Sequence, residues 1–143
     1  MKISSLLYGM VFAVAVIAVL LLVMGVNFHR PVSGQGAALY NAANETTAVG
    51  LVQEVQEFDC PVSEGELGSH LMLKTGDGVV QVHLAPVRIM RGQKLSFAPG
   101  EQIAVVGSKI RLNGKNGVIA WEITRGNETF IFRDSSGKLL LVQ

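Results

Sequence analysis

The sequence predicts a mainly β fold, a small Greek-key barrel of β-β-β-short α-β-β order preceded by one N-terminal transmembrane helix. Three observations carry that reading. An uninterrupted apolar stretch fills residues 6–26, short alternating runs separated by glycine-containing turns dominate from residue 46 onward, and one helical interruption falls between the third and fourth runs. At 143 residues the chain has room for one compact domain plus a tether, and a second core would not fit. The expected organisation is a transmembrane helix with its flanks over residues 1–30, a flexible spacer over 31–45 and the barrel over 46–143.

The apolar stretch holds no charged residue and nothing more polar than Tyr8. Its length is close to the roughly 20 residues that cross a bilayer as a helix. A cleaved signal peptide is the competing reading, because Lys2 supplies a short basic region ahead of it. Signal cores run about 7 to 15 residues, whereas this one is longer, bulky from Val19 to Met24, and has no small-x-small site directly behind it. A retained anchor is the better fit. Lys2 on one flank and His29 and Arg30 on the other favour an N-inside orientation only weakly, which puts the domain outside the cytoplasm at the inner membrane, in the periplasm. Residues 32–44 are small and polar and read as spacer.

Within the domain the first run, residues 47–58, carries Val49, Leu51, Val52, Val55 and Phe58, a pattern that changes face near Val52 as a bulged or sharply curved strand would. The next two runs alternate strictly. Leu71 and Leu73 are interleaved with His70, Met72 and Lys74; after Gly76-Asp77-Gly78, Val80, Val82 and Leu84 are interleaved with Gln81 and His83. This is a hairpin signal, and matching the apolar faces requires partner numbers that sum to 153 or 155. His70 and His83 then share the outward face. Pro86 stops the third strand, and residues 87–97 have helical spacing interrupted by Gly92. A turn at Pro99-Gly100-Glu101 leads into a strand over 102–108; Asn-Gly turns precede a strand over 118–124; Gly126-Asn127 leads into a last strand over 129–133.

Strands in this order, with a helix between the third and fourth, match an OB-fold, a five-stranded Greek-key barrel. Residues 98–123, with the Pro-Gly-Glu turn, the Ile103/Val105/Gly107 strand, the Asn-Gly turns and the Ile119-Ala120 strand, resemble the second half of many bacterial OB-like domains. The overall plan of span, spacer and exported barrel is similar to the haem chaperone of cytochrome c maturation. That family holds haem with a histidine and a nearby tyrosine in its C-terminal part. Here no histidine follows His83 and no tyrosine follows Tyr40, so the resemblance implies an architecture and not a haem site.

Four features are candidates for chemistry. His70 and His83, with Met72, form the one group of possible metal ligands on a shared face; cross-strand neighbours stand about 4.5–5.5 Å apart, and Met72 would favour a soft metal such as copper. Unassisted, two or three such residues also suit an ordinary half-exposed hairpin. Cys60, the single cysteine, cannot form an internal disulfide; flanked by Asp59, Glu57 and Glu64, it fits a small buried apolar role better than a reactive thiolate. The charge is uneven, with six acids and no base over residues 45–66 and six bases and one acid over 88–115. Arg88, Arg91, Lys94, Lys109 and Arg111 are therefore expected on a basic rim that attracts anionic headgroups or an acidic partner protein. A single-strand track would need stacking aromatics beside those bases, and apart from Trp121 the phenylalanines fall at core or strand-end positions, so nucleic acid is an unfavoured partner. Two Asn-x-Thr triplets, at Asn44 and Asn127, are glycosylation acceptors only in a eukaryotic secretory route.

No nucleophile-base-acid trio, carboxylate pair or phosphate-cradling loop stands at informative spacing. The expectation is a non-catalytic accessory or assembly subunit of a membrane-associated complex, without a cofactor, whose partner is another membrane or periplasmic protein. A metal- or haem-handling carrier using His70 and His83 is the rival, and oligosaccharide or single-strand binding on the barrel face is a third reading.

Overall fold

The computed structural model describes residues 38–141. The predicted span and most of the predicted spacer lie outside the described residues, and no helix among those described is long and apolar enough to cross a membrane.

Among the described residues from 45 onward, six strands and one short helix follow in the order β1 (Glu45–Asp59), β2 (Leu67–Thr75), β3 (Gly78–Pro86), α1 (Val87–Gly92), β4 (Gln102–Leu112), β5 (Lys115–Arg125) and β6 (Glu128–Ile131). The sheet runs β3-β2-β1-β4-β5-β6, and β3 also pairs with β5 in parallel, closing the first five strands into a ring. That strand order, with α1 between β3 and β4, is the OB-fold.

The 15 residues of β1 serve two partners. Its first half pairs with β4 from Glu45 opposite Ser108, and its second half pairs with β2 as far as Asp59 opposite Leu67. Between Val52 and Glu54 the register slips by the one residue Gln53, the bulge that the change of apolar face near Val52 predicts. Just before it the strands crowd together: a Cβ on Gly50 would stand 2.2 Å from the carbonyl oxygen of Lys74, so no larger residue fits. A second crowded point is Gly107, where a Cβ would come within 2.1 Å of the Ile119 carbonyl oxygen. There β5 carries the extra residue, Trp121, between the pairs Val106–Glu122 and Gly107–Ala120. The bulge moves the inward face from Val118 and Ala120 to Ile123, all three in the core.

The β2–β3 hairpin adopts the lower of the two predicted registers, with His70 opposite His83 and Leu71 opposite Val82. Its turn is tied by the Thr75 hydroxyl, which donates to the Gly78 carbonyl at 2.9 Å and accepts from the Asp77 amide at 3.3 Å. Helix α1 is shorter than the predicted 87–97 because it ends in a left-handed residue. Lys94 has φ 52°, its amide donates to the Arg91 carbonyl, and the Leu95 amide donates to Met90, each at 3.0 Å. This is the hydrogen-bond pattern of a Schellman cap. Ile89 and Met90 of α1, with Phe97 beyond it, plug the barrel against Leu71, Leu73, Val82, Leu84, Ile103, Val105 and Ile123.

A second, smaller cluster lies outside the ring and gathers Tyr40, Cys60, Val62 and Ile119, with Phe58 and Trp121 against them. Tyr40 and the 3₁₀ turn Ala42–Asn44 fall at the end of the predicted flexible spacer, yet Tyr40 is buried against the barrel, while the turn itself stays exposed. Ser108 fixes them: its hydroxyl donates to the Asn41 carbonyl and accepts from the Asn41 amide.

Candidate functional site

The two outward histidines of the β2–β3 hairpin are not at the surface. His70 is 0% and His83 2% exposed, which corrects the expectation of a solvated face. Alternation sends both rings away from the barrel core, and the chain then folds back over them. After β1 ends at Asp59, Cys60 and the 3₁₀ turn Pro61–Ser63 lie across the hairpin, with Val62 and Ser63 buried. The Phe58 ring stacks on His70 with centroids 3.8 Å apart, and His70 meets His83 edge to face at 4.8 Å.

Cys60 is therefore not merely an apolar filler. Its Sγ lies 3.1 Å from Nε2 of His70, 3.6 Å from Nδ1 of His83 and 3.3 Å from the Ser63 hydroxyl. One donor atom from each of Cys60, His70 and His83 falls within 4.8 Å of the other two. Glycines make the space. A Cβ on Gly68 would run into Ser63 Oγ and lie 2.9 Å from the His70 ring, and one on Gly117 would lie 3.1 Å from Nε2 of His83. The far ring nitrogens, Nδ1 of His70 and Nε2 of His83, have no hydrogen-bond partner, nor does the Trp121 indole N–H.

Electrostatics keep both rings neutral. Burial lowers His70 to about 4, opposed in part by the polar backbone groups of Gly68 and Gln56 beside the ring. His83 falls to about 3, through burial first and then repulsion from His70 and Arg133. Neutral imidazole is the form that ligates metals. Arg133 is itself only 3% exposed and donates to the Ala120 carbonyl at 2.6 Å. Burial lowers its pKa to about 10, so it stays protonated near neutrality, and Tyr40, Cys60 and Glu64 are the groups whose negative charge would offset it.

The other predicted site residues fall elsewhere. Met72 stands opposite Gln81, two pairs along the hairpin from the histidines, with its sulfur 4.0 Å from the Gln81 amide nitrogen. The five candidate cations do not share one rim. Arg88 and Arg91 project from α1 and pair with Glu66 and Glu57, each at 3.2 Å, so part of the acid-rich segment folds against them. Lys94 is the left-handed cap residue of α1. Lys109 and Arg111 lie near the end of β4, exposed and without an ion pair among the described residues. The length of β1 separates the two groups, since Arg91 reaches Glu57 near its end and Lys109 follows Ser108, which faces Glu45 at its start. Beside Lys109 an open cleft of about 540 Å³ runs between the start of β1 and the β2–β3 turn, bordered by Val49, Asp77, Val79 and Asn116.

The MamS/MamX magnetosome protein family matches residues 44–130, more than half of the chain and nearly the whole ring of strands. The chain belongs to that family. The matched region includes Cys60, His70 and His83 and stops short of Arg133. No curated protein matches the chain significantly. Among solved structures the chain is similar to one from the S. pombe Stn1–Ten1 complex, at 15% identity and TM-score 0.45 over 59% of each chain. An OBody bound to hen egg-white lysozyme is similar at 12% identity and TM-score 0.45, over 64% of this chain and 85% of that one. The N-terminal domain of PriB from Thermoanaerobacter tencongensis is similar at 19% identity and TM-score 0.42, over 60% and 99%. The chain thus spans 59% of the first of these structures, and the OB assignment rests on strand order rather than on these likenesses.

Proposed function

We propose that this protein is a non-catalytic accessory subunit of a magnetosome membrane assembly, tethered by the apolar segment over residues 6–26 and holding its barrel on the non-cytoplasmic side to dock another protein. The observation that carries this reading is the family match over the barrel itself. The barrel's surface supports it. Val49 and Val79, each about half exposed, line the cleft that Lys109 borders, a mixed apolar and basic rim suited to a protein contact. The cations of α1 are already paired with Glu57 and Glu66, which leaves the Lys109 end as the docking face. Purification of the detergent-solubilised protein from native membranes is the test: a stoichiometric partner is expected, lost or weakened when Val49 and Val79 are both replaced by aspartate, and recovery of the protein alone would contradict the reading.

A second reading, a metal-handling protein, is favoured by one specific observation, the contact of Cys60 with both histidines. Haem does not suit that place, because both imidazoles are sealed and leave no open face for a macrocycle.

A further inference from the structure

We propose that Cys60, His70 and His83 form a site for a single monovalent copper ion, held by the cysteine sulfur, Nε2 of His70 and Nδ1 of His83. Geometry comes first. Ligand bonds of about 2.0–2.1 Å to nitrogen and about 2.3 Å to sulfur put the donors of one trigonal or tetrahedral ion about 3.3–3.8 Å apart. The two sulfur–nitrogen separations are 3.1 and 3.6 Å, and the three donors lie within 4.8 Å of one another, so the sulfur already stands near bonding reach of both rings and the two nitrogens must close on each other by about 1 Å to take the ion. Phe58 stacks on one ring, and Gly68 and Gly117 leave each a fitted slot.

Donor chemistry selects the metal. One thiolate with two imidazoles is a set that copper takes, whereas iron(II) at a two-histidine site takes a carboxylate as the third ligand. Asp59, Glu57 and Glu64, the acids nearest in sequence, are exposed and outside the donor group. Charge selects the oxidation state. A thiolate and a monovalent ion together are neutral, but a divalent ion would leave a net positive charge in a buried site that already holds the Arg133 guanidinium, and an uncompensated buried charge is strongly disfavoured. A packing role alone accounts poorly for the residues present. The nitrogens on the far sides of the rings, Nδ1 of His70 and Nε2 of His83, have no partner and are not the proposed donors; a buried unpaired group costs about 1–3 kcal/mol, a cost that an apolar residue at either position would avoid.

This inference deepens the metal-handling reading and does not depend on the docking one. Its test uses the full chain in detergent, reduced and stripped of metal, titrated without oxygen with copper(I) against a competing copper(I) chelator. One ion per chain is expected, with an X-ray absorption spectrum showing one sulfur and two nitrogen neighbours. Cys60→Ser should remove the sulfur shell and weaken binding about 100-fold or more, and His83→Gln about 10- to 100-fold or more, since altering even a residue that only orients a ligand costs about 10- to 100-fold, while Met72→Leu leaves affinity unchanged. The wild-type spectrum keeps the proposal falsifiable even where a variant unfolds. Failure to retain copper against the chelator, a coordination shell without sulfur, zinc held more tightly than copper(I), or equal affinity in folded Cys60→Ser would each overturn it.

Discussion

On the inner face of the β2–β3 hairpin, Leu71, Leu73, Val82 and Leu84 belong to the apolar core; on its outer face His70 and His83 are buried to the same depth among Cys60, Ser63 and the Arg133 guanidinium. The two faces share one backbone register, yet they are stabilised differently. The inner face gains from apolar burial alone. The outer face buries polar atoms, leaves two ring nitrogens unpaired, and is held by the strand end and turn laid over it. Depth of burial therefore does not separate a core from a site here; what separates them is whether every buried polar group has a partner.

The largest expected effect is on the inner face. Leu71→Ala, at 0% exposure, should cost about 2–5 kcal/mol, read as a lower denaturation midpoint with an unchanged slope. A loss under about 1 kcal/mol would mean that the inner packing is looser than its burial implies.

The outer face should respond to pH instead. His70 and His83 are lowered to about 4 and about 3 when folded, against about 6.5 unfolded. Between those limits the unfolded chain binds protons that the folded chain does not, so stability is greatest above about pH 6.5 and falls as the pH drops. The slope should be on the order of 1 kcal/mol per pH unit for each histidine, ending near pH 4 for His70 and near pH 3 for His83. Denaturation curves collected from pH 7 to 5 should show this decline in the wild type and a flatter profile in the His70→Gln/His83→Gln double variant. A decline of the same size in the variant would assign it to other groups.

Outside both faces the effects shrink. Lys94 sits at φ 52° as the left-handed cap of α1, a conformation that glycine adopts without the Cβ penalty, so Lys94→Gly should stabilise by about 0.5–1 kcal/mol. Destabilisation on thermal melting would show that the lysine side chain makes a contact that matters. The smallest effect is expected at the Arg88–Glu66 pair. Its side chains are 59% and 45% exposed, and Arg88→Ala should change stability by no more than about 0.5 kcal/mol, less still at high salt.

The same comparison explains what was legible in the sequence. Alternation around Leu71, Leu73, Val82 and Leu84 specifies the hairpin and its register, because an error of one residue would turn every apolar side chain outward. The bulge at Gln53 left its mark in the shift of face near Val52, and the closed strand order followed from the place of α1 between β3 and β4. The site was only half visible. Alternation fixed which way His70 and His83 point, but the residues that cover them carry no period. Cys60 closes over the rings because Asp59-Cys60-Pro61 breaks the strand there, and Arg133 arrives from beyond β6. The available signal was the size of Ser63, Gly68 and Gly117: small residues leave room around a large ring, although which ring they serve is known only once the strands are paired. The basic rim dissolved for a related reason. Charge counted along the chain does not reveal that Glu57 and Glu66 fold back onto Arg91 and Arg88.

Around its two histidines the outer face is as sealed as the inner one, and the protonation of those imidazoles reports this directly. Side-chain nitrogen NMR of the metal-free protein, followed from pH 7.5 to 5, should show His70 and His83 neutral throughout, with fixed tautomers. Ordinary titration of both rings near pH 6.5 would mean that solvent reaches them and would contradict the account.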